Sequence, residues 1–472
     1  MIDFSDVKDA RRALHLFLEI SKVPRGSGNS KPIADFLINF ARRNGLEYIR
    51  DPYNNVIIKK SASEGYSTHP TVILQSHTDI VLDKTAECKK DLTKEGLDVY
   101  RDGDFLRARG TTLGADDGIG VAFTLAILEN KSLKHPPIEA LFTSDEETGL
   151  IGAGMLDATH LLGKMLLNLD SDEENVFTVG CAGGVRIEAR LTENRRAAEG
   201  ECYRLSVSGL LGGHSGTDIN LGRANAIKLL AEILALAKGV RLVKLVGGSK
   251  DNAIAREAEA LFFAEDISAL SEKADKIKKD YFSADGGITV VLEGSECEDE
   301  AFDTDVSSKI IGALCAVPFG VIKVRDKIHD FVESSVNHGI VRTDSTGFEI
   351  HFSVRADKEA EKERLCKKIG NELAKRGIAF SFRDAYPGWE YRESSPLRDT
   401  MVRLYEERYG IKPRISVIHA GLECGILVSK SAGLDCVSVG PDNYDYHTTN
   451  EHLSIPSCDR FYGFLTEVLK NI

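Results

Sequence analysis

Three apolar, β-branched stretches of this chain each run into acidic or histidine residues. Thr71-Val72-Ile73-Leu74-Gln75 leads to His77 and Asp79, Ile138-Glu139-Ala140-Leu141-Phe142-Thr143 to Glu146-Glu147, and Lys164-Met165-Leu166-Leu167-Asn168-Leu169 to Asp170. Short runs of this kind read as buried strands. Open α/β sheets place their sites at the carboxyl ends of such strands. The repetition therefore predicts an α/β fold in which three strands deliver acids to one edge of one sheet. Asp116-Asp117 sits among Gly114, Gly118 and Gly120, just before the apolar stretch 119–128, and reads as a tight turn entering a helix. A last histidine, His447, lies far away in His447-Thr448-Thr449-Asn450-Glu451.

The residue types suit divalent metal chemistry. Zinc accepts imidazole nitrogen and carboxylate oxygen, and a catalytic site leaves a position open for water. Two ions about 3.5–4 Å apart need a bridging group, and one carboxylate with two oxygens can bridge. A ligand histidine needs an acceptor for its other ring nitrogen. Hydrolysis also needs a base that is not itself a ligand. Taken singly, each segment has an ordinary explanation: Glu146-Glu147 as a solvated turn, Asp116 as a helix cap. The ordered set of strand ends is the specific signal.

The order H-x-D, D-D in a Gly-rich turn, E-E-T-G, D and a distant H-x-x-N-E resembles the M20 metallopeptidases, co-catalytic zinc exopeptidases and deacylases. Within them the chain is similar to the bacterial aminoacyl-histidine dipeptidases, the carnosinase-like peptidase D group. The segments Gly212-Gly213-His214-Ser215-Gly216, Asn252-Ala253-Ile254-Ala255-Arg256-Glu257 and His419-Ala420-Gly421-Leu422-Glu423-Cys424-Gly425 carry that likeness. It departs after His447, where Thr448-Thr449-Asn450 stands in place of a serine–proline. The resemblance implies that His77 and Asp170 hold one ion, that Glu147 and His447 hold the other, and that Asp116 bridges them. It implies that Asp79 orients His77, that Glu146 is the general base, and that the Asp116-Asp117 peptide is cis. The cofactors it implies are two divalent ions, Zn²⁺ first, with Mn²⁺ or Co²⁺ accepted by the same ligands.

Length and composition agree with a soluble enzyme. At 472 residues the chain exceeds one ordinary domain. Its net charge of −13 argues against a nucleic-acid partner, which wants a basic face. Nine cysteines without C-x-x-C spacing point to free thiols in a reducing compartment. The first twenty residues read as an amphipathic helix with Asp3, Asp6 and Asp9 rather than as a signal peptide, and no apolar run reaches membrane length. The expected setting is the cytoplasm, with a small peptide as partner and a homodimer as a further expectation.

The ligands up to Asp170 and the distant His447 imply a discontinuous catalytic domain, zinc-exopeptidase-like with a mixed sheet flanked by helices, over 1–182 and 386–472. An inserted α+β lid spans 183–385 and reads as two successive α+β halves. The first contains strands at 185–191 and 201–208 and a helix at 224–237. The second contains strands at 287–292, 336–342 and 347–355 and helices at 305–315 and 357–376. The lone tryptophan, Trp389, reads as core packing where the chain re-enters the catalytic domain.

Within the insert, His214 follows a strand in a Gly-rich turn, and the resemblance gives it the stabilisation of a tetrahedral oxyanion. Capping of the next helix is its plainer reading. Arg355 ends a strand, and its fork suits a substrate's C-terminal carboxylate, with a surface ion pair as the alternative. The resemblance alone places Asn252, Gly421 and Glu423 at the substrate pocket. With His214 and Arg355 on the insert, catalysis is expected to need closure of the insert over the substrate.

The expected activity is metal-dependent hydrolysis of dipeptides, Xaa-His dipeptides such as β-alanyl-histidine above all. The alternatives are a tripeptidase, an N-acyl amino acid deacylase, and a metal-binding protein without turnover. Glu146 argues against the last, because a binding protein needs ligands but no free base.

Overall fold

In the computed structural model, which describes residues 2–325 and 331–472, the three apolar runs are neighbouring strands of one eight-stranded sheet. The sheet order is Glu47–Arg50, Val56–Lys60, Ile138–Thr143, Val72–His77, Met165–Asn168, Asp435–Ser438, Val176–Cys181 and Arg414–Ile418. The four strands from Ile138–Thr143 to Asp435–Ser438 run parallel, so their carboxyl ends share one edge. The first two strands are antiparallel additions, and the sheet is mixed. Every residue of Val72–His77 and Ile138–Thr143 is buried. Alternate residues explain why. Val72, Leu74, Ile138, Ala140 and Phe142 join the main core with the helices Arg11–Ile20, Lys31–Asn44, Ala115–Glu129, Pro396–Tyr409 and Ile455–Asn471. Ile73, Leu141 and Leu166 are buried on the opposite face.

Contacts divide the chain into two units. Unit 1 is Met1–Gly180, Tyr391–Val417 and Leu422–Ile472, and unit 2 is Cys181–Glu390 with Ile418–Gly421. The N-terminal helix begins only at Arg11, because the segment before it is turned and held: the carboxylate of Asp459 accepts the N–H groups of Asp9 and Ala10 at 2.6 and 2.8 Å. Asp3, Asp6 and Asp9 therefore lie ahead of the helix.

In unit 2 the two halves are nested, where the sequence had read them as successive. One half comprises the strands Cys202–Ser208, Arg241–Gly247, Ala258–Phe263 and Thr289–Gly294 with the helices Ala226–Leu234 and Leu270–Asp280. The other comprises Gly183–Thr192, Val332–Asp344, Gly347–Ala356 and Ala379–Tyr386 with Thr304–Ala316 and Glu359–Ala374. Each runs strand-helix-strand-strand-helix-strand with spatial order 4-1-3-2, the split βαβ arrangement. The first half sits inside the second, between Gly183–Thr192 and Thr304–Ala316. The halves share one nine-stranded sheet, joined where Gly247 pairs with Val341.

The Cys202 and Cys297 side chains meet in unit 2, and the other seven cysteines are free. Cys202 and Cys297 lie 95 residues apart, and the pairing of Tyr203 with Gly294 brings their segments together. Among the described residues no helix is long and apolar enough to cross a membrane.

Candidate metal centre

The centre is built within unit 1 on the carboxyl edge of the parallel strands. His77 is the last residue of its strand and 1% exposed. Its Nε2 lies 2.9 Å from Oδ1 of Asp116 and 3.5 Å from Oδ1 of Asp170. The other oxygen of Asp116 lies 3.0 Å from Nε2 of His447, which is also 2.9 Å from Oε1 of Glu147. Asp116 thus turns one oxygen toward each histidine, as a bridging carboxylate must. Ligand atoms within 4.8 Å of one another form three groups: His77 with Asp116 and Asp170, Asp116 with Glu147 and His447, and His77 with Glu146 and Glu147.

The Asp116 turn is held from several directions. Gly114 is left-handed (φ 64°) and precedes the helix Ala115–Glu129, within which the Asp116-Asp117 peptide is cis. Glu451 accepts the backbone N–H groups of Leu113, Gly114 and Ala115 at 2.7, 2.8 and 2.8 Å. Arg25, 1% exposed, donates to the carbonyls of Thr78 and Gly114 at 3.1 and 2.6 Å. Asp117 faces away from the ligand set and accepts the N–H groups of His77 and Gly120, both at 3.2 Å. The glycine pattern follows from these neighbours. A Cβ on Gly118 would meet Nη2 of Arg25 at 2.3 Å, and one on Gly120 would meet Oδ1 of Asp117 at 2.3 Å.

Asp79 touches both His77 and the Glu146-Glu147 turn. The His77 Nδ1 lies 3.1 Å from the backbone oxygen of Asp79 and 3.6 Å from its Oδ1. The Asp79 carboxylate accepts from Ser27 Oγ at 2.7 Å and from the N–H groups of Glu146 and Glu147 at 2.9 and 3.3 Å. Asp145, left-handed at φ 50°, turns outward and accepts from the Gly28 N–H and the Ser30 hydroxyl. The Glu146-Glu147 turn is therefore tied down on both sides.

The electrostatics fit divalent cations. Burial pushes the Glu146 carboxyl well above its ordinary range, and Asp170, Glu423 and Glu147 push it further. Burial raises Asp170 to about 7, against the pull of His77. Burial also acts on Asp116, but hydrogen bonds from His447 and His77 overcome it and hold this acid low. Burial disfavours the charged form of His447, yet Asp116 and Glu147 raise it to about 10. The pocket thus draws positive charge onto its histidines, and divalent ions would answer the same field. The donor set of imidazole and carboxylate matches zinc, manganese or cobalt.

Residues 73–471 match the peptidase family M20/M25/M40. The chain belongs to that family. It is 33% identical to the cytosol non-specific dipeptidase of Escherichia coli, over 97% of this chain and 96% of that protein. Its structure is similar to the crystal structure of an aminoacylhistidine dipeptidase from Vibrio alginolyticus: TM-score 0.93, 34% identity, 100% of this chain and 98% of that one. The aminopeptidase PepT of Bacillus cereus, at TM-score 0.58 and 15% identity over 98% of both chains, shares the fold. The chain is a peptidase with the mixed α/β architecture of this family.

The remaining sequence-derived residues fall in unit 2, apart from Glu423. His214 is part-buried; its Nδ1 accepts the N–H groups of Gly216 and Thr217 at 3.3 and 3.2 Å, which leaves its proton on Nε2. Burial, aided by Arg355, lowers its pKa and keeps it neutral. Arg355 is 9% exposed, and its Nη1 donates to the Tyr386 hydroxyl at 2.7 Å. Asn252 is exposed. Gly421 faces the Tyr386 ring: a Cβ there would lie 2.7 Å from Cε2. Its lack of a side chain makes room for the tyrosine that holds Arg355. Glu423, expected on the pocket wall, is 0% exposed inside unit 1 and accepts from Gln75 and Thr143. Trp389 is 3% exposed.

Sequence reasoning missed Arg25, Asp117 and Glu451 as supports, and Tyr386 and His419 in unit 2. His419 Nε2 lies 2.7 Å from Ser335 Oγ. The Glu451 signal was present in the quoted H-x-x-N-E motif. Arg25 carries no local signal, because its partners lie 53 and 89 residues away.

Proposed function

We propose that this peptidase hydrolyses dipeptides, with C-terminal-histidine dipeptides as its preferred class, at a two-metal centre held by His77, Asp116, Glu147, Asp170 and His447. The observation that carries the reading is the placement of the two Asp116 oxygens, one toward His77 and one toward His447. When bound, a pair of divalent ions, Zn²⁺ first, would polarise the scissile carbonyl and lower the pKa of the attacking water.

The chain's residues supply the rest. Glu146 takes the proton from the water and passes it to the leaving amine; its burial among acids raises its proton affinity above that of an ordinary carboxylate. Asp79 holds the Glu146-Glu147 turn against His77. His214, neutral with its proton on Nε2, donates to the developing oxyanion. Arg355, steadied by Tyr386, takes the substrate's C-terminal carboxylate, with Asn252 as a second donor. The names of the Escherichia coli and Vibrio relatives support a dipeptide substrate, and the Vibrio name supports the histidine preference. The Escherichia coli relative's name also supports a cytoplasmic setting.

The test is a substrate panel on protein reconstituted with zinc, manganese or cobalt: β-alanyl-histidine, other Xaa-His dipeptides, dipeptides without histidine, tripeptides and N-acetyl amino acids. The highest kcat/KM is expected for Xaa-His dipeptides. Preference for tripeptides or N-acetyl amino acids would overturn the dipeptide reading, and equal rates on all dipeptides would overturn the histidine preference.

A further inference from the structure

Beneath the ligands lies a row of buried polar side chains that the metal chemistry does not use. Gln75, Asn168 and Ser438 stand in register on three parallel strands, Gln75 beside Asn168 and Asn168 beside Ser438. Asn168 Nδ2 donates to Gln75 Oε1 at 2.6 Å, the Ser438 hydroxyl donates to Asn168 Oδ1, and Ser171 Oγ lies 2.8 Å from Ser438 Oγ. The row ends on Glu423. Its Oε2 accepts from Gln75 Nε2 at 2.6 Å and from the Thr143 hydroxyl at 2.6 Å. Among the described residues its Oε1 has no hydrogen-bond partner. Gln75, Thr143, Asn168, Glu423 and Ser438 are each 0% exposed.

The positions matter. Gln75 is two residues before His77 and Asn168 two before Asp170, so each shares a strand face with the ligand it precedes. Thr143 closes the strand that leads into Glu146 and Glu147. A carboxylate buried this deeply is costly unless its hydrogen bonds are made. Apolar side chains would fill the space without that cost, and they would leave the strand ends free to slide. Hydrogen bonds between buried polar groups instead favour one arrangement.

We propose that Glu423 is a positioning residue of the metal centre. Through Gln75 and Thr143 it locks the ends of the three strands that carry His77, Glu146–Glu147 and Asp170, and so sets the spacing at which the ligands meet two ions. This rests on the two-metal reading above. Groups that orient metal ligands from behind typically change metal affinity or activity by about 10–100-fold when removed.

The test uses the full chain and Co²⁺ as probe, followed by its visible absorption, its affinity, and kcat and KM on a dipeptide. Glu423→Ala should weaken cobalt binding by about 10–100-fold, alter the cobalt spectrum and lower kcat with little change in KM. Glu423→Gln keeps an acceptor oxygen for Gln75 and Thr143 and should restore most of the affinity. Thr143→Val removes one of the two donors with little change of volume and should shift affinity and spectrum in the same direction by less; it carries the test if Glu423→Ala does not fold. Wild-type chain that binds cobalt while Glu423→Ala and Thr143→Val bind it unchanged would overturn the brace alone. Glu423→Gln as impaired as Glu423→Ala would also overturn it, since the acceptor remains. Wild-type chain that binds no cobalt would overturn the metal reading and the brace together.

Discussion

Asp79 Oδ1 accepts the backbone N–H of Glu146 at 2.9 Å. That bond joins the end of the strand carrying His77 to the turn carrying Glu146 and Glu147, 67 residues later. The other oxygen of Asp79 serves Ser27 and Glu147. One fully buried carboxylate therefore holds the strand end that carries His77 and the turn that carries Glu146 and Glu147 in a single geometry.

Asp79→Asn should separate these duties. The amide has one acceptor oxygen where the carboxylate offers two, so the turn loses at least one of its two N–H bonds to this side chain. We expect about a 10–100-fold loss in metal affinity and kcat, read by metal titration and steady-state kinetics. Undiminished affinity and kcat would mean that the turn holds itself.

Glu146→Gln and Glu147→Gln should fail in different ways. The first should lower kcat by about 10²–10⁴-fold with metal content nearly intact. The second should lose metal from the His447 side. Elemental analysis beside kinetics distinguishes them, and identical behaviour would collapse the division of labour between base and ligand.

Gly120→Ala offers a test of sign. In an ordinary helix interior the change would stabilise by roughly 1 kcal/mol. Here the new Cβ would lie 2.3 Å from Asp117 Oδ1 and 2.8 Å from Ser76 Oγ. We expect destabilisation of about 1–3 kcal/mol, as for an overpacked core, seen as a lower urea midpoint, together with reduced activity because Asp117 backs His77. A raised midpoint would contradict the packing argument.

Removal of bound metal should lower stability, because the ligands sit among carboxylates that repel one another without it. Melting with and without a chelator should show a higher Tm for the metal-loaded protein, rising with free metal concentration as mass action requires. A Tm indifferent to metal would argue against binding at this centre.

His338 sets an acid-side limit on stability. Burial, helped by Lys228, drives its pKa down to about 3, and Nε2 lies 3.2 Å from the carbonyls of both Val317 and Pro318. The folded state thus binds the proton less readily than the unfolded chain. The contribution is complete above the unfolded value near 6.5 and is lost as pH falls toward 3, at up to about 1.4 kcal/mol per pH unit. His419, also pushed down to about 3, acts in the same window. Urea titrations between pH 6.5 and 4.5 should therefore show a shallower slope for His338→Gln than for the wild type, reduced by up to one proton. An unchanged slope would show that His338 does not titrate on unfolding.

Much of the centre was legible because its signals are local. A buried strand is written in consecutive apolar residues, and a ligand at its end lies within two to four positions of them. His77, Glu146, Glu147 and Asp170 were readable for that reason, and Asp116 from the glycines that give its turn room. Glu423 was legible only as part of a motif, and its place beneath the sheet was not. Its partners Gln75 and Thr143 lie 348 and 280 residues away in sequence. The halves of the insert were visible as alternating strands and helices. Their nesting was hidden, because strand order depends on which edges pair across long gaps.

By itself the sequence determined the residue chemistry of the centre and the class of fold, since periodicity and strand-end acids are properties of short stretches. Only the tertiary structure decided which groups hold those acids in place. Glu451 reaches the Asp116 turn across 338 residues, Arg25 threads between Gly114 and Gly118, and Cys202 meets Cys297 across 95. Buried polar groups must find partners wherever the folded chain brings them, and that requirement selects the pairs without leaving a trace in the neighbouring sequence.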